Sequence, residues 1–249
     1  LRVPERDQSA LPLFDSNELD FSFPQLFRTN RFTGADRQAD ANQITVAVQS
    51  ALQDSASGRE WARVAIGSIW YLDSANVALD IDTGSGLSSR NQSVWVAEAQ
   101  ATLDDRWELS AGVQYDPELS KTRLAAARLQ RKIGARGVLN LGYRYRVDRI
   151  RQMDLSGFVP LDDNWSLIGR WNFSFDDDQT LEALGGFEYR ACCFAVRFIG
   201  RRYLRAASLS PNNGLYLEIE LDGLGSVGRK TSDILSRAIF GFSEPERSN

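Results

Sequence analysis

The stretch from Trp165 to Tyr203, WSLIGRWNFSFDDDQTLEALGGFEYRACCFAVRFIGRRY, is the part of the chain that decides the fold class. In its first run, every second residue from Trp165 onward is mostly apolar and often aromatic: Trp165, Leu167, Gly169, Trp171, Phe173 and Phe175. The residues between them, of the other parity, are mostly polar: Ser166, Ile168, Arg170, Asn172, Ser174 and Asp176. Residues two apart lie on the same face of a β-strand, so this run predicts a strand with one apolar and one polar face. A polar turn and two further alternating runs follow, which predicts antiparallel strands joined up and down.

The composition excludes several classes of protein. The 249 residues are 43% hydrophobic and 25% charged, as in an ordinary folded chain. A net charge of -4 gives no support for nucleic-acid binding. The chain has no histidine, which excludes Ser-His and Cys-His catalysis and His-ligated zinc. We predict no enzymatic activity, no cofactor and no metal site.

The alternation repeats along most of the chain. From Gln43 onward it predicts eleven strands, at residues 43–52, 61–71, 94–103, 107–116, 122–132, 137–147, 152–159, 165–176, 181–190, 193–203 and 214–222. No apolar run approaches the roughly 18 residues of a membrane-spanning helix, whereas strands of membrane barrels need only about 9–11. The predicted fold is all-β: an antiparallel up-and-down transmembrane β-barrel, present in part, with about eleven strands of a larger barrel.

A soluble lipocalin-like barrel or sandwich also alternates, with its apolar face turned inward. Two observations favour the membrane barrel. The predicted strands are about ten residues long, against a usual length of about 5–6 in globular proteins. Arg, Glu, Gln and Asn also occupy many positions of the polar parity, as a hydrated lumen requires. A passive outer-membrane porin remains a second alternative.

The connections indicate which side of the membrane each end faces. The two longest, 72–93 and 204–213, follow even-numbered strands, whereas tight turns follow the third, seventh and ninth strands. Outer-membrane barrels have short periplasmic turns and longer external loops. We therefore expect residues 1–42 to be a long extracellular loop region after a truncated strand, and residues 43–222 to be the hairpin strands. Residues 223–249 are expected to be a periplasmic C-terminal tail.

Two features of the C-terminal part need a separate interpretation. Gly223–Gly228 matches G-x-G-x-x-G, but it lacks the parallel βαβ setting of a dinucleotide site, so we interpret it as a glycine-rich exit turn before a candidate short helix near Ser232–Arg237. Cys192 and Cys193 are adjacent, and a disulfide between sequence neighbours is strained. Two readings stay open: small buried residues, or two separate disulfides to cysteines outside this chain.

Several segments together carry a resemblance to one family. They are Val3-Pro4, Arg6–Ser9, Phe14–Ser16, Gln25–Gly34, Asp40–Gln43, Gln114–Pro117, Asn140–Tyr145, Trp165–Leu167, Cys192-Cys193 with Arg197, and Glu220–Leu224. Over essentially its whole length the chain resembles the C-terminal part of the β-barrel of the LPS-assembly protein LptD family. The resemblance implies a lipopolysaccharide translocon in the outer membrane of a Gram-negative cell. Its implied partners are lipopolysaccharide, a plug lipoprotein (LptE), and the translocon's N-terminal part with a periplasmic jelly-roll.

The resemblance also assigns roles to particular residues. The last strand of the family's barrel forms one side of a lateral seam, which here matches Leu215, Leu217, Ile219 and Leu221. The cysteine pair matches the pair that bonds to cysteines near the N-terminal domain. The jelly-roll, the first strands and those partner cysteines are absent here, and eleven strands leave two unpaired edges. We therefore expect the C-terminal half of a translocon, not a working one in isolation.

Four arginines of the polar parity are candidates for contacts in the lumen: Arg144, Arg146, Arg170 and Arg197. Their guanidinium groups could meet phosphates or carboxylates of the plug protein. They could equally pair with Glu108, Glu188 or Glu218 across neighbouring strands.

Overall fold

The computed structural model describes residues 1–4, 8, 22–28, 30, 32, 37–73, 77, 93–204, 211–221, 225–228 and 231–242. Most of the predicted connections 72–93 and 204–213, much of the predicted loop 1–42, residues 223–224 of the predicted exit turn and residues 243–249 of the tail lie outside the described residues. No helix in the described ranges is long and apolar enough to cross a membrane.

All eleven predicted strands are present, with boundaries shifted by a few residues. They are β2 Ala41–Gln53, β3 Glu60–Tyr71, β4 Trp95–Thr102, β5 Trp107–Asp116, β6 Lys121–Ile133, β7 Gly137–Arg146, β8 Ile150–Pro160, β9 Trp165–Ser174, β10 Gln179–Arg190, β11 Phe194–Tyr203 and β12 Asn212–Leu221. Two short strands that the alternation did not predict flank them, β1 Arg2–Val3 and β13 Gly225–Gly228. A 3₁₀ turn, Phe23–Phe27, and one α-helix, α1 Ser232–Ala238, complete the described elements.

The strand order in the sheet is the order of the chain, from β1 to β13, so β1 and β13 are its two edge strands. This is the antiparallel up-and-down sheet of a partial barrel, and the predicted fold class is confirmed. The chain divides into two compact units. The first comprises residues 1–101 and 111–125, and the second comprises residues 102–110 and 126–249.

In the first unit, β2 pairs with β3 from Gln43↔Tyr71 to Gln53↔Glu60. The 3₁₀ turn packs on one face of this sheet, where Leu26 is fully buried against Ile69, Tyr71, Val94 and Val96. Gly67 makes this contact possible, because a Cβ atom there would lie 2.6 Å from Leu26 Cδ1. A segment of the region predicted to be a loop therefore belongs to the packed interior of this unit.

In the second unit, β7 to β12 pair in antiparallel registers, with one register shift in the β9–β10 pair, between Thr180 and Glu182. We call the face that carries Trp165, Leu167 and Trp171 the outer face, and the face that carries Ser166 and Ile168 the inner face. Leu167 is 52% exposed, whereas Ile168 is 1% exposed. The outer face thus presents a band of apolar side chains to its surroundings, as a lipid-facing wall requires.

Two tight turns of this unit are built in the same way. Asp104 Oδ1 accepts hydrogen bonds from the backbone N–H groups of Arg106 and Trp107, and Asp162 Oδ1 accepts them from Asn164 and Trp165. Such Asx turns explain why an Asp-rich connection precedes a Trp in both places. Each turn fixes the first residue of the strand that follows.

Replacing the Asp162 carboxylate removes two backbone contacts, so Asp162→Ala is expected to destabilise the folded sheet by about 1 kcal/mol. The control is Asp163→Ala, which removes the same charge from the neighbouring position. The measurement is the temperature at which the folded band of the full-length protein disappears on a cold-loaded denaturing gel. Equal shifts for the two variants would contradict the role given to Asp162.

Candidate functional site

The inner face of the second unit, with α1 lying on it, is the candidate site. α1 forms because its apolar residues fall on one side, with Asp233 in the first turn and Arg237 in the last turn to match the helix dipole. Leu235 and Ile239 of this segment are fully buried. The helix predicted near Ser232–Arg237 is therefore present, and it belongs to the interior of the unit.

The strand residues beneath α1 are apolar, although most other positions on the same inner face are polar. The residues that form this apolar surface with the helix segment are Val138, Phe158, Ile168, Leu184, Ile199, Leu235, Ala238 and Ile239. Each of the larger side chains contributes roughly 1.5–3 kcal/mol when fully buried. We call this part of the inner face, together with the ion pairs at its border, the covered region.

A row of charged residues borders the covered region. Glu188, Arg197 and Glu218 are directly opposite one another on β10, β11 and β12. Arg197 Nε donates to Glu188 Oε2 at 2.9 Å, and Arg197 Nη1 donates to Glu218 Oε2 at 2.8 Å. Arg197 is only 2% exposed and Glu188 1%, so these charges are removed from water and need close partners. Glu188 also pairs with Arg136 at 2.6 Å and with Arg190 at 3.3 Å.

This row also holds the beginning of the helix. The backbone N–H of Thr231 donates to Glu218 Oε2 at 3.1 Å, and its hydroxyl group donates to the same oxygen. Arg197 Nη1 in turn donates to Thr231 Oγ1 at 3.0 Å. Because Thr231 lies directly before α1, the network fixes where the helix starts.

The end of the helix is held separately. Asn140 Nδ2 donates to the carbonyl oxygen of Phe240 at 2.9 Å, and Gln130 Nε2 donates to Asn140 Oδ1 at 2.8 Å. Gly241 has φ +78°, which favours glycine, and a Cβ there would lie 2.8 Å from Gln130 Nε2. Both ends of the helix are thus tied to strands.

The rest of the inner face is not covered by α1 and carries partly exposed ion pairs. Arg170 donates to Asp154 Oδ2 and Glu182 Oε2, both at 2.8 Å, and Arg201 Nε donates to Glu182 Oε1 at 2.6 Å. We call this chain of four residues, with the exposed Arg144, the open region. Its side chains remain in contact with solvent, so each pair is weaker than the buried ones.

Three of the four predicted lumen arginines, Arg144, Arg170 and Arg197, fall into these two regions. Arg197 pairs with Glu188 and Glu218 in the covered region. This cross-strand pairing is the alternative to a lumen contact that the sequence had left open. Arg170 pairs with Asp154 and Glu182 in the open region. Arg144 is exposed and donates to Gln152 Oε1 at 3.4 Å, and Arg146 is half-buried. Contacts of any of them with phosphates or a plug protein stay predictions.

Cys192 and Cys193 form the tight turn between β10 and β11. Both are exposed, and their sulfur atoms lie 2.7 Å apart. Their exposure does not fit the reading of small buried residues, and it makes the thiols accessible to a partner. In the part of the chain that the structure describes, no group of three or more His, Cys, Asp or Glu residues could hold a metal ion.

The predicted seam strand is β12, and the segment after it differs from the expectation. Leu215, Leu217, Ile219 and Leu221 lie on the outer face, between 37% and 76% exposed. Gly225–Gly228, interpreted as part of an exit turn, instead forms β13 and pairs with β12 from Glu218↔Gly228 to Leu221↔Gly225. The physical reason is that the unpaired edge of β12 offers hydrogen-bonding groups that a glycine-rich segment can satisfy.

Neither the covered region nor the role of Thr231 was predicted from the sequence. A signal for the covered region was present, because five inner positions on five consecutive strands are apolar: Val138, Phe158, Ile168, Leu184 and Ile199. Nothing in the local sequence marks Thr231, since its partners lie 13 and 34 residues away.

Arg197→Met is expected to destabilise the folded protein by about 3–5 kcal/mol, because it removes the buried cation that pairs with both Glu188 and Glu218. Glu188 keeps its ion pairs with Arg136 and Arg190, so the loss falls mainly on Glu218. Arg144→Met removes an exposed guanidinium from the same face and should change stability by less than about 0.5 kcal/mol. Urea midpoints of the purified full-length protein in detergent provide the comparison. Similar midpoints for both variants would show that the network does not hold the unit together.

Comparison with known proteins agrees with this architecture. A family model described as "LptD: LPS transport system D" matches residues 1–171. The LPS-assembly protein LptD of Nitrosococcus oceani is 41% identical over 245 residues, which are 98% of this chain and 33% of that protein. Proteins of the same name from Xylella fastidiosa and Xanthomonas oryzae pv. oryzae are 40% and 38% identical, each over 97% of this chain and 31% of their own length.

The chain thus spans about a third of the length of the curated relatives that it matches. The family model covers well over half of this chain, and the three relatives cover nearly all of it. The chain therefore belongs to the LptD family of LPS-assembly proteins.

Proposed function

We propose that this chain is the C-terminal part of an outer-membrane barrel that assembles lipopolysaccharide into the outer leaflet of a Gram-negative cell. One observation carries the proposal: a wall with an apolar outer face and a charged inner face, in a chain about 40% identical to LPS-assembly proteins. The activity is transport, so no covalent bond is made or broken. Nothing in the fold or the comparisons favours the passive porin or the lipocalin-like barrel.

The open region is the part of the inner face suited to the sugar chain. The side chains of Arg170 and Arg201 are 20% and 28% exposed, and Arg144 is exposed as well. Guanidinium groups bind phosphates by paired hydrogen bonds, and the neighbouring carboxylates keep the surface from holding an anion too tightly. The same groups could face the carboxylates of LptE.

In this proposal β12 forms one side of the lateral seam. Its outer-face leucines are exposed, as expected for side chains in contact with acyl chains. Lipid A would leave between β12 and the first strand of the whole barrel, while the sugar chain passes along the inner face. The tight turns, Cys192, Cys193 and the C-terminus would then lie on the periplasmic side.

The cysteine turn is proposed to tether the barrel to the N-terminal part of the protein. Both thiols are exposed on a turn of few residues, so they can reach cysteines of another domain without unfolding a strand. Disulfides persist in the oxidising periplasm. This tether would keep a periplasmic jelly-roll in line with the barrel.

Transport along the inner face can be tested by site-specific photocrosslinking in cells that carry one full-length copy of the protein. A crosslinking amino acid at Arg144, on the inner face, is expected to give lipopolysaccharide adducts at several times the level obtained at Leu167. Leu167 is on the outer face, close to the cysteine turn, where the periplasmic leaflet is expected. Immunoblots of the adducts provide the measurement, and equal or absent adducts at Arg144 would reject the proposed path.

The tether makes a separate prediction for the full-length protein. Cys192→Ser and Cys193→Ser are each expected to keep one long-range disulfide, whereas the double variant should lose all reductant-sensitive mobility on a denaturing gel. Peptide mapping by mass spectrometry identifies the partners. Finding Cys192 bonded to Cys193 in the mature protein would contradict the tether.

A further inference from the structure

The two edges of β12 are occupied to different extents. On one side β11 pairs with the whole strand, from Phe194↔Leu221 to Tyr203↔Asn212. On the other side β13 pairs only with Glu218–Leu221. The edge of residues 212–217 has no strand beside it among the residues that the structure describes.

β13 is held in place from both of its ends. At one end three residues of the chain join it to β12, and Gly225 pairs with Leu221. At its other end Gly228 pairs with Glu218, and three residues later Thr231 donates its backbone N–H to the carboxylate of the same Glu218. One residue of β12 therefore holds both the end of β13 and the start of the helix segment.

The helix segment provides the stronger anchor. Leu235 of α1 and Ile239 directly after it are fully buried against the strands, and Asn140 Nδ2 donates to the carbonyl oxygen of Phe240 at 2.9 Å. A strand tethered at both ends has a high effective concentration at the edge that it pairs with. A competing strand from elsewhere would have to displace β13 against that advantage.

Building on the function proposed above, we infer that β13 is a permanent part of the barrel wall. The strand that closes the barrel then meets β12 only along residues 212–217. The partner is a β-strand from the remaining part of the same protein, which pairs through backbone hydrogen bonds with this short edge. The seam is six residues long instead of ten, and it lies at the end of β12 remote from the cysteine turn. Ile219 and Leu221 line the wall, but they are not at the seam.

The geometry allows a direct test by engineered disulfides. Ile219 and Val227 are directly opposite on β12 and β13, and both side chains are exposed. Opposite residues of an antiparallel pair have Cα atoms about 4.5–5.5 Å apart, within the range of a disulfide. In the full-length protein in outer membranes, Ile219→Cys with Val227→Cys is expected to form a disulfide in most molecules without added oxidant.

Two pairs serve as controls. Leu217 and Val227 are diagonal neighbours on the same face of the sheet, and such residues lie about 7–8 Å apart. The pair Leu217→Cys with Val227→Cys is therefore expected to remain reduced. Phe198→Cys with Leu217→Cys is an opposite pair of β11 and β12 and should form a disulfide. Cys192 and Cys193 are kept, and mass spectrometry of alkylated fragments assigns every disulfide.

The outcomes separate this inference from the function on which it rests. A closed 219–227 disulfide with undiminished lipopolysaccharide delivery supports a permanent β13. Reactive thiols at both positions, or delivery that stops in the double-cysteine variant but continues in each single-cysteine variant, would overturn it. If the unmodified protein delivers no lipopolysaccharide at all, the proposed function fails, while the disulfide result still reports on β13.

Hydrogen exchange of the unmodified protein gives a measurement that needs no substitution. The amides of Gly225–Gly228 that point toward β12 are expected to exchange at least tenfold more slowly than those of an unpaired segment, because they are hydrogen-bonded to β12 and β13 is tethered at both ends. Exchange of β13 at the rate of an unpaired segment would overturn the inference even where the cysteine variants fail to assemble.

Discussion

The guanidinium group of Arg197 lies between two carboxylates in one row of the sheet, and the arrangement of the second unit depends on it. Removing an ion from water costs several kcal/mol, which only close, well-oriented partners offset. Glu188 and Glu218 provide them on both neighbouring strands. Because Glu218 also accepts from Thr231, the same charge balance sets the position at which α1 begins. The register of β10, β11 and β12, the charge balance around Arg197 and the start of α1 therefore all depend on the same contacts.

This constraint explains why the inner face has two kinds of surface. Next to the row of Glu188, Arg197 and Glu218 the inner positions are apolar and need a cover, which α1 supplies. Farther along the strands the ion pairs of Arg170 and Arg201 remain partly exposed and need none. A hydrophilic chain passing along this wall would meet the second surface, since the first is already occupied. The C-terminal segment thus determines how much of the inner face is open to a substrate.

The fold was predictable from the sequence because it depends on a period of two that every long strand repeats. The eleven strands, the Asp-led turns before Trp107 and Trp165, and the apolar outer face all follow from such local patterns. The covered region was not predicted, because the parity of Leu184 or Ile199 shows which face a residue takes, but not what packs on that face. Contacts such as Arg197 with Thr231 join residues far apart in the chain, and no local pattern encodes them.

The pairing of β13 with β12 depends both on its own glycine-rich sequence and on contacts of the helix segment that follows it. A membrane leaves no backbone N–H or C=O group of an edge strand without a partner, so β12 must be paired along its whole length in a working barrel. Four glycine-rich residues suffice for one end, because their backbone needs no side chain to pair and the helix segment holds them there. The other end must be paired by a strand that has no such tether. The barrel wall is therefore held closed where β13 pairs with β12, and it can open only along residues 212–217 of β12.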